Sequence, residues 1–453
     1  MTGISEAEPF QPTEQPVVFG SLASGVAVTF ITRVLIVAST FGASIVVARW
    51  LGPAGTGTLA VLNVTVALAL QLGSAGMPSA TTYFVARDRN SLKPVWASGL
   101  LFSLAAGILI AMGVIVVASL RPGLFNGIPF DLIVIVVISI PFQLVTLVGL
   151  NLLMAVDKIR LMNSLDALSS LLLFVNAVLV LVLWRQGLSR LVAFNTCVAV
   201  MLCGLLIGLV TRFMRAETSV NAWLNFSWLR RMLVYGLKFY VSIFASFVIF
   251  RADLLIVNRF WGAAPAGVYA VASQCSFLLI MLPGVIASLL FPRVAARQDQ
   301  TAAYALEVTR HTSFIMLILS LAAALGSLAL PLVYGPRFAD ATIQLLIMLP
   351  GIFFISLESV LVQHFTGTGL PAIIPLFWIV TMIVNLGLNL ALVPVWGARA
   401  AAVNSTLTYA LIFVLVTAYF YVRTGHNPFL VLAPRASEFK NMFARWQARP
   451  LAK

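Results

Sequence analysis

Long apolar runs alternate along the chain with short clusters of glycine, proline and charged residues, from Phe19 to Val422. The runs are about 20 residues or longer, which lets a helix cross a hydrocarbon core of roughly 30 Å; barrel strands would be half that length. An unsatisfied backbone amide in lipid costs several kcal/mol, so each run is predicted to be an α-helix that closes its own hydrogen bonds. The pattern predicts spans at 19–48, 57–85, 95–119, 131–154, 163–184, 190–214, 233–257, 267–291, 311–333, 343–365, 372–394 and 400–422. The expected fold class is an all-α membrane protein of about twelve transmembrane helices.

Composition gives the same answer by a different route. Of 453 residues, 61% are hydrophobic and 9% charged, with a mean hydropathy of +1.04, more apolar surface than a water-soluble globule can hide. The formal charge of +14 would suggest nucleic acid in a soluble protein. Here the basic residues punctuate span ends, so no nucleic-acid partner is expected and the charge is a topology signal. Eighteen Lys and Arg fall on the side of the N-terminus and seven on the other, which by the positive-inside rule puts both termini on the cytoplasmic side of the membrane. Cys197, Cys203 and Cys275 lie in apolar stretches and are read as packing residues.

The chain divides further. Residues 1–18 carry Glu6, Glu8 and Glu14 and no base, unlike a secretory signal, and are read as a disordered cytoplasmic leader. Residues 215–232 hold Trp223, Phe226 and Trp228 among arginines, the mix expected of a linker lying along headgroups. In the tail, 423–453, Phe439, Met442, Phe443 and Trp446 recur at helical spacing beside Lys440, Arg445 and Arg449. That reads as a basic amphipathic helix on the inner surface, or else as a solvated tail.

An internal repeat organises the spans. Arg49-Trp-Leu-Gly52 through Gly57 to Ala60-Val61 matches Arg259-Phe-Trp-Gly262 through Gly267 to Ala270-Val271 without gaps, as R-x-x-G-x-x-x-x-G-x-x-A-V. Each copy joins the first two helices of a six-helix half. Two pseudo-symmetric lobes, 19–214 and 233–422, are therefore expected, with substrate bound between them near the midplane.

These and other segments carry a family resemblance. LGPAGTGTLAV followed by GMPSATTYFVARDR, RADLLIVNRFWGAAPAGVYAVA followed by LLFPRVA, and NLGLNLALVPVWGARAAAVNSTLTY resemble the polysaccharide-export, Wzx-type flippases. Their superfamily also contains the MATE exporters and the lipid II flippase. The likeness covers nearly the whole chain. It implies a MATE-like fold with a V-shaped central cavity, and translocation of a polyprenyl-pyrophosphate-linked oligosaccharide from inner to outer leaflet for cell-surface polysaccharide synthesis. Membrane lipids, a glycan polymerase and glycosyltransferases are the partners it implies.

Several intramembrane residues invite a role. Arg33 lies about fifteen residues from either end of its span, too deep to snorkel easily. Thr29, Arg33, Thr40 and Ser44 share a sector of roughly 60° on an ideal helix, a polar face expected to line a wet cavity. A guanidinium there suits a pyrophosphate, being always charged and forked like the phosphate oxygens; the alternative is an ion pair with a carboxylate on another helix. In the seventh span Lys238 falls on one face with Asp253, close enough to the inner end to snorkel instead. Arg251 projects about 160° from Asp253 on a straight helix. The resemblance implies that basic residues of the first and seventh spans line the cavity, and it brings Arg251 into the candidate substrate site beside Arg33.

Asp166, Asp253 and Glu358 are candidates for proton or Na⁺ coupling; Glu358 can bind a cation or neutralise Arg33. His364 is expected at an interface, and Pro141, Pro283 and Pro350 are expected to kink their helices. A MATE-like exporter of small cations fits the same architecture, and the three basic and three acidic groups within spans do not decide between them; the resemblance does. A glycan polymerase or ligase is disfavoured because every predicted outer loop is about a dozen residues or fewer, without clustered His and carboxylates. No enzyme activity, cofactor or metal is expected.

Overall fold

A break in helical geometry is what lets the longest apolar stretches fit a membrane. In the computed structural model, which describes residues 19–217, 226–297, 302–368, 371–427 and 431–432, ten helices are long and apolar enough to cross a bilayer, two of them of 44 and 52 residues. A straight 44-residue helix would be about 66 Å long, twice the hydrocarbon thickness. Helix α1 (Phe19–Ser74) leaves helical geometry at Gly52 (φ 66°, ψ −172°), and α13 (Ile373–Thr424) does so at Gly397 (φ 67°, ψ −151°). Both are left-handed conformations that favour glycine. With those two breaks, the ten helices supply twelve crossings, and no strand occurs among the described residues.

The other elements are α2 (Met77–Arg87), α3 (Leu92–Leu120), α4 (Phe130–Val137), α5 (Ser139–Ala155), α6 (Ile159–Ala177), α7 (Leu188–Glu217), α8 (Phe226–Trp261), α9 (Ala263–Arg297), α10 (Ala303–Ser327), α11 (Leu330–Tyr334) and α12 (Ala339–Thr368). The predicted fourth span is split at Ile138 into α4 and α5. Pro141 causes this at a distance, because its ring clashes with the carbonyl four residues earlier, that of Val137. Helices α9 and α12 run on through Pro283 and Pro350. Helix α8 begins at Phe226, so part of the segment read as a linker is already helical. The leader, Trp223 and the aromatic residues of the tail lie outside the described residues.

Helices α1 to α7 pack largely among themselves, as do α8 to α13. The halves meet mainly where α1 crosses α9 and α8. Outward-facing leucines and valines, such as Leu332 and Val422, each 77% exposed, face the lipid that composition demands.

The repeat explains how the halves meet. Gly57 and Gly267 stand 210 positions apart, as do Pro53 and Ala263. A methyl group added at Gly57 would overlap the Ala263 carbonyl, and one at Gly267 would overlap that of Pro53. Each would also come within 2.7 Å of the other glycine's amide nitrogen. Arg49, which opens the first copy, donates to the Leu332 and Val333 carbonyls at 2.6 and 2.8 Å, tying the halves at the same end.

A second crossing lies some 19 residues further along, about 28 Å at helical rise. Gly76 (φ 76°) meets the Gly236 backbone, and a Cβ on Gly236 would lie 2.7 Å from the Gly76 carbonyl carbon. Tyr240 donates its hydroxyl to the Leu72 carbonyl at 3.1 Å, and Tyr83 stacks on Tyr235 with centroids 4.2 Å apart.

Candidate functional site

Between the two crossings the halves line an open cavity of about 1080 Å³. Its wall on α1 includes residues from Thr56 to Leu70, all between Gly57 and Gly76 or beside them. The N-terminal half supplies hydroxyls and amides, among them Thr40, Asn63, Gln143, Ser169 and Asn195; the C-terminal half supplies Arg251, Gln274, Phe250 and Phe277. Arg251 and Asp253 are the charged residues that line it.

Those two charges are held differently. The Arg251 guanidinium sits 4.3 Å from the centroid of Phe277, a stacked arrangement that suits its planar, weakly hydrated cation. Asp253 is 2% exposed. Its carboxylate accepts from the Tyr269 hydroxyl, from Ser405 at 3.3 Å and from the Leu254 amide at 2.7 Å. Both residues reach the cavity from one continuous helix. Arg251 faces Phe277 on the cavity wall, while the Asp253 carboxylate is committed to the core of its own half.

The first-span face is divided by depth. Thr40 and Ser44 line the cavity, and Ser44 is shared with the Tyr334 hydroxyl at 3.0 Å. Arg33 is exposed and is not among the lining residues, which begin on α1 at Ile36. It lies seven residues before Thr40, about 10 Å along the axis, and Asp166 is within its electrostatic reach. Asp166 is half-buried and also off the wall, one turn from Ser169 and Ser170, which are on it. The side chains of Thr29 and Lys238 lie outside the described residues.

Away from the cavity, the C-terminal half holds a buried polar nest. Asn385 donates to Thr408 at 3.1 Å, Asn404 to the Asn385 carbonyl at 2.9 Å and Asn389 to the Asn385 side chain at 3.3 Å. The side-chain oxygens of Asn389 and Asn404 are buried without a partner, and so is Oε1 of Glu358. Glu358 is 2% exposed and borders a second cavity of about 670 Å³, with Ser246, Ser288, Ser359, Gln363 and Trp378. His364 is buried, with its ring 5.5 Å from that of Phe420; the neighbouring helix covers a position that falls near a span end in sequence.

Sequence reasoning passed over Asn63, Gln143, Asn195 and Gln274. Each is a neutral amide within an apolar run, the signal that drew attention to Arg33 in weaker form.

Twelve crossings in two halves around a shared, partly polar cavity define a polytopic membrane transporter. The chain belongs to the family described as Polysaccharide biosynthesis protein, whose model matches residues 46–343. No curated protein matches it in sequence. In fold it is similar to the lipid II flippase MurJ in an inward closed conformation, with TM-score 0.72 and 12% identity over 94% of this chain and 93% of that one. It is similar too to a multidrug resistance MATE family transporter of the MOP superfamily in its inward-facing conformation, with TM-score 0.71 and 13% identity over 88% and 98%. A eukaryotic MATE transporter, AtDTX14, follows at 0.61 and 11% over 91% and 99%. At such identities the likeness is one of fold.

Proposed function

We propose that this protein is a flippase that carries a polyprenyl-pyrophosphate-linked oligosaccharide from the inner to the outer leaflet of a bacterial cytoplasmic membrane. The observation that supports it best is a cavity between two halves whose wall joins one stacked guanidinium, Arg251, to a field of hydroxyls and amides. Diphosphate is matched by the guanidinium fork, and glycan hydroxyls by the neutral wall. The distribution of basic residues supports a cytoplasmic position for both termini. On that orientation Arg33, nearer the start of α1 than the cavity, receives the diphosphate at the inner leaflet, and Arg251 holds it inside. Asp166 balances Arg33 until substrate arrives. The tail stays in lipid while the halves rock between inward and outward openings. The enzymes that assemble the lipid-linked glycan and the polymerase that consumes it are its partners.

A cation exporter would need a free carboxylate on the cavity wall. Asp253 is already satisfied by Tyr269, Ser405 and its neighbouring amide. In proteoliposomes, wild type translocates lipid-pyrophosphate glycan, Arg33→Ala lowers the rate at least about tenfold and Arg33→Lys keeps part of it, in line with loss of one charge-assisted contact. Export of cationic dyes without any flipping of glycolipid overturns the reading.

Coupling is assigned to the C-terminal half, where Glu358, Asn389 and Asn404 present unpartnered buried oxygens and Asp253 lies in the adjoining network. A proton or Na⁺ bound there would change the charge of that half and bias which way it opens. Glu358→Gln is expected to leave glycolipid binding intact and to remove the response of the flipping rate to an imposed pH or Na⁺ gradient. An unchanged gradient response excludes Glu358 from coupling.

A further inference from the structure

The charge on the cavity wall narrows the class of glycan. If Arg251 holds the diphosphate, as the flippase reading requires, no second described cation lines the space left for the sugars. What remains there is neutral and unused. Thr40, Asn63, Ser169, Ser170 and Gln274 all line the cavity and make no hydrogen bond to protein through their side chains among the described residues. Gln143 spends its amide N–H on Ser139 at 2.7 Å and keeps its carbonyl oxygen free.

Polar groups that line a cavity and have no protein partner are open to water or to a ligand. A carboxamide sets a donor beside an acceptor, and hydroxyls do both, a pattern that pairs with the adjacent hydroxyls of a sugar ring. Phe41 and Phe250, also on the wall, add apolar ring surface for the C–H faces of such rings. An acidic sugar fares worse. Its carboxylate or phosphate would find no second described cation on this wall and would share it with the Asp253 carboxylate, so it would give up hydration without gaining a partner of opposite charge.

We infer that the cargo's oligosaccharide is uncharged, built of neutral or N-acetylated sugars without uronic acid, pyruvyl or phosphate groups, and that Asn63 and Gln274, one from each half, read it. This inference rests on the flippase reading and sharpens it.

The test uses the full-length protein in proteoliposomes and two polyprenyl-pyrophosphate glycans of equal length, one neutral and one carrying a single hexuronic acid. The neutral lipid is expected to flip at least about tenfold faster, the factor that one poorly compensated charge makes in a partly hydrated site. Asn63→Lys, or Gln274→Lys if the first variant does not fold, is expected to bring the two rates together by giving the carboxylate a cation. Equal rates for the two lipids in wild type overturn this inference and leave the flippase reading standing. A preference for the neutral lipid that neither lysine variant alters overturns the assignment to this wall. Flipping of neither lipid by wild type overturns both readings.

Discussion

Arg251→Ala is expected to abolish flipping, lowering the rate by roughly a hundredfold or more, the scale of removing one preorganised cationic contact from a water-poor site. Arg251→Lys is expected to retain a fraction. Lysine keeps the charge but loses both the fork that grips two phosphate oxygens and the flat face that rests on Phe277. The guanidinium makes no ion pair among the described residues, and Asp253, the acid nearest to it in sequence, keeps its hydrogen bonds from Tyr269, Ser405 and the Leu254 amide when it is removed, so the melting temperature of the purified protein should fall far less than the flipping rate. Flipping rate and melting temperature measured side by side separate a lost contact from a lost fold. A fully active alanine variant would remove Arg251 from the substrate path.

The second large effect is expected at the crossing of α1 and α9. Gly57→Val and Gly267→Val each drive a branched side chain into a backbone carbonyl of the opposite half, and a backbone cannot rotate out of the way as a side chain can. Overpacking of this kind costs on the order of 3 kcal/mol or more. Either variant should show a strongly lowered melting temperature or a protein held apart at that end. Cysteines placed on α1 and α9 beside the crossing would report the second outcome as lost cross-linking. Gly113, on α3, supplies the control: nothing lies within 4 Å of its added Cβ, so Gly113→Ala should be neutral or slightly stabilising through helix propensity. A stable, cross-linkable Gly57→Val would show that the halves do not depend on this contact.

How much of this was legible in the sequence depends on what each inference required. The spans were readable because lipid forces every backbone amide into a helix, and the pattern of apolar runs reports that directly. The role of Gly57 and Gly267 was half readable. The repeat aligned them, but only the fold shows that the aligned positions touch. Helical spacing placed Thr29, Arg33, Thr40 and Ser44 on one face without stating how far along the axis the cavity extends, and its α1 wall begins at Ile36. Angle is periodic and depth is not, so a wheel sees the first and misses the second. For Arg251 the spacing argued against company with Asp253, yet both line the cavity, so the angle on a helical wheel did not decide which of the two reaches it. The neutral amides Asn63 and Gln274 were invisible for another reason: in a membrane helix an amide is ordinarily a strut to a neighbouring helix, and only a structure can show that these two have nothing to hold.

The contact between Gly57 and Gly267 sets how the halves can part. Where side chains interdigitate, two surfaces can creep past each other through a series of rotamers. At this seam main chain lies directly on main chain, each glycine against the carbonyl one turn before its twin, and no rotamer exists between seated and separated. Opening at this end should therefore be a discrete step, with the seam behaving as a latch whose strength is set by the absence of two side chains.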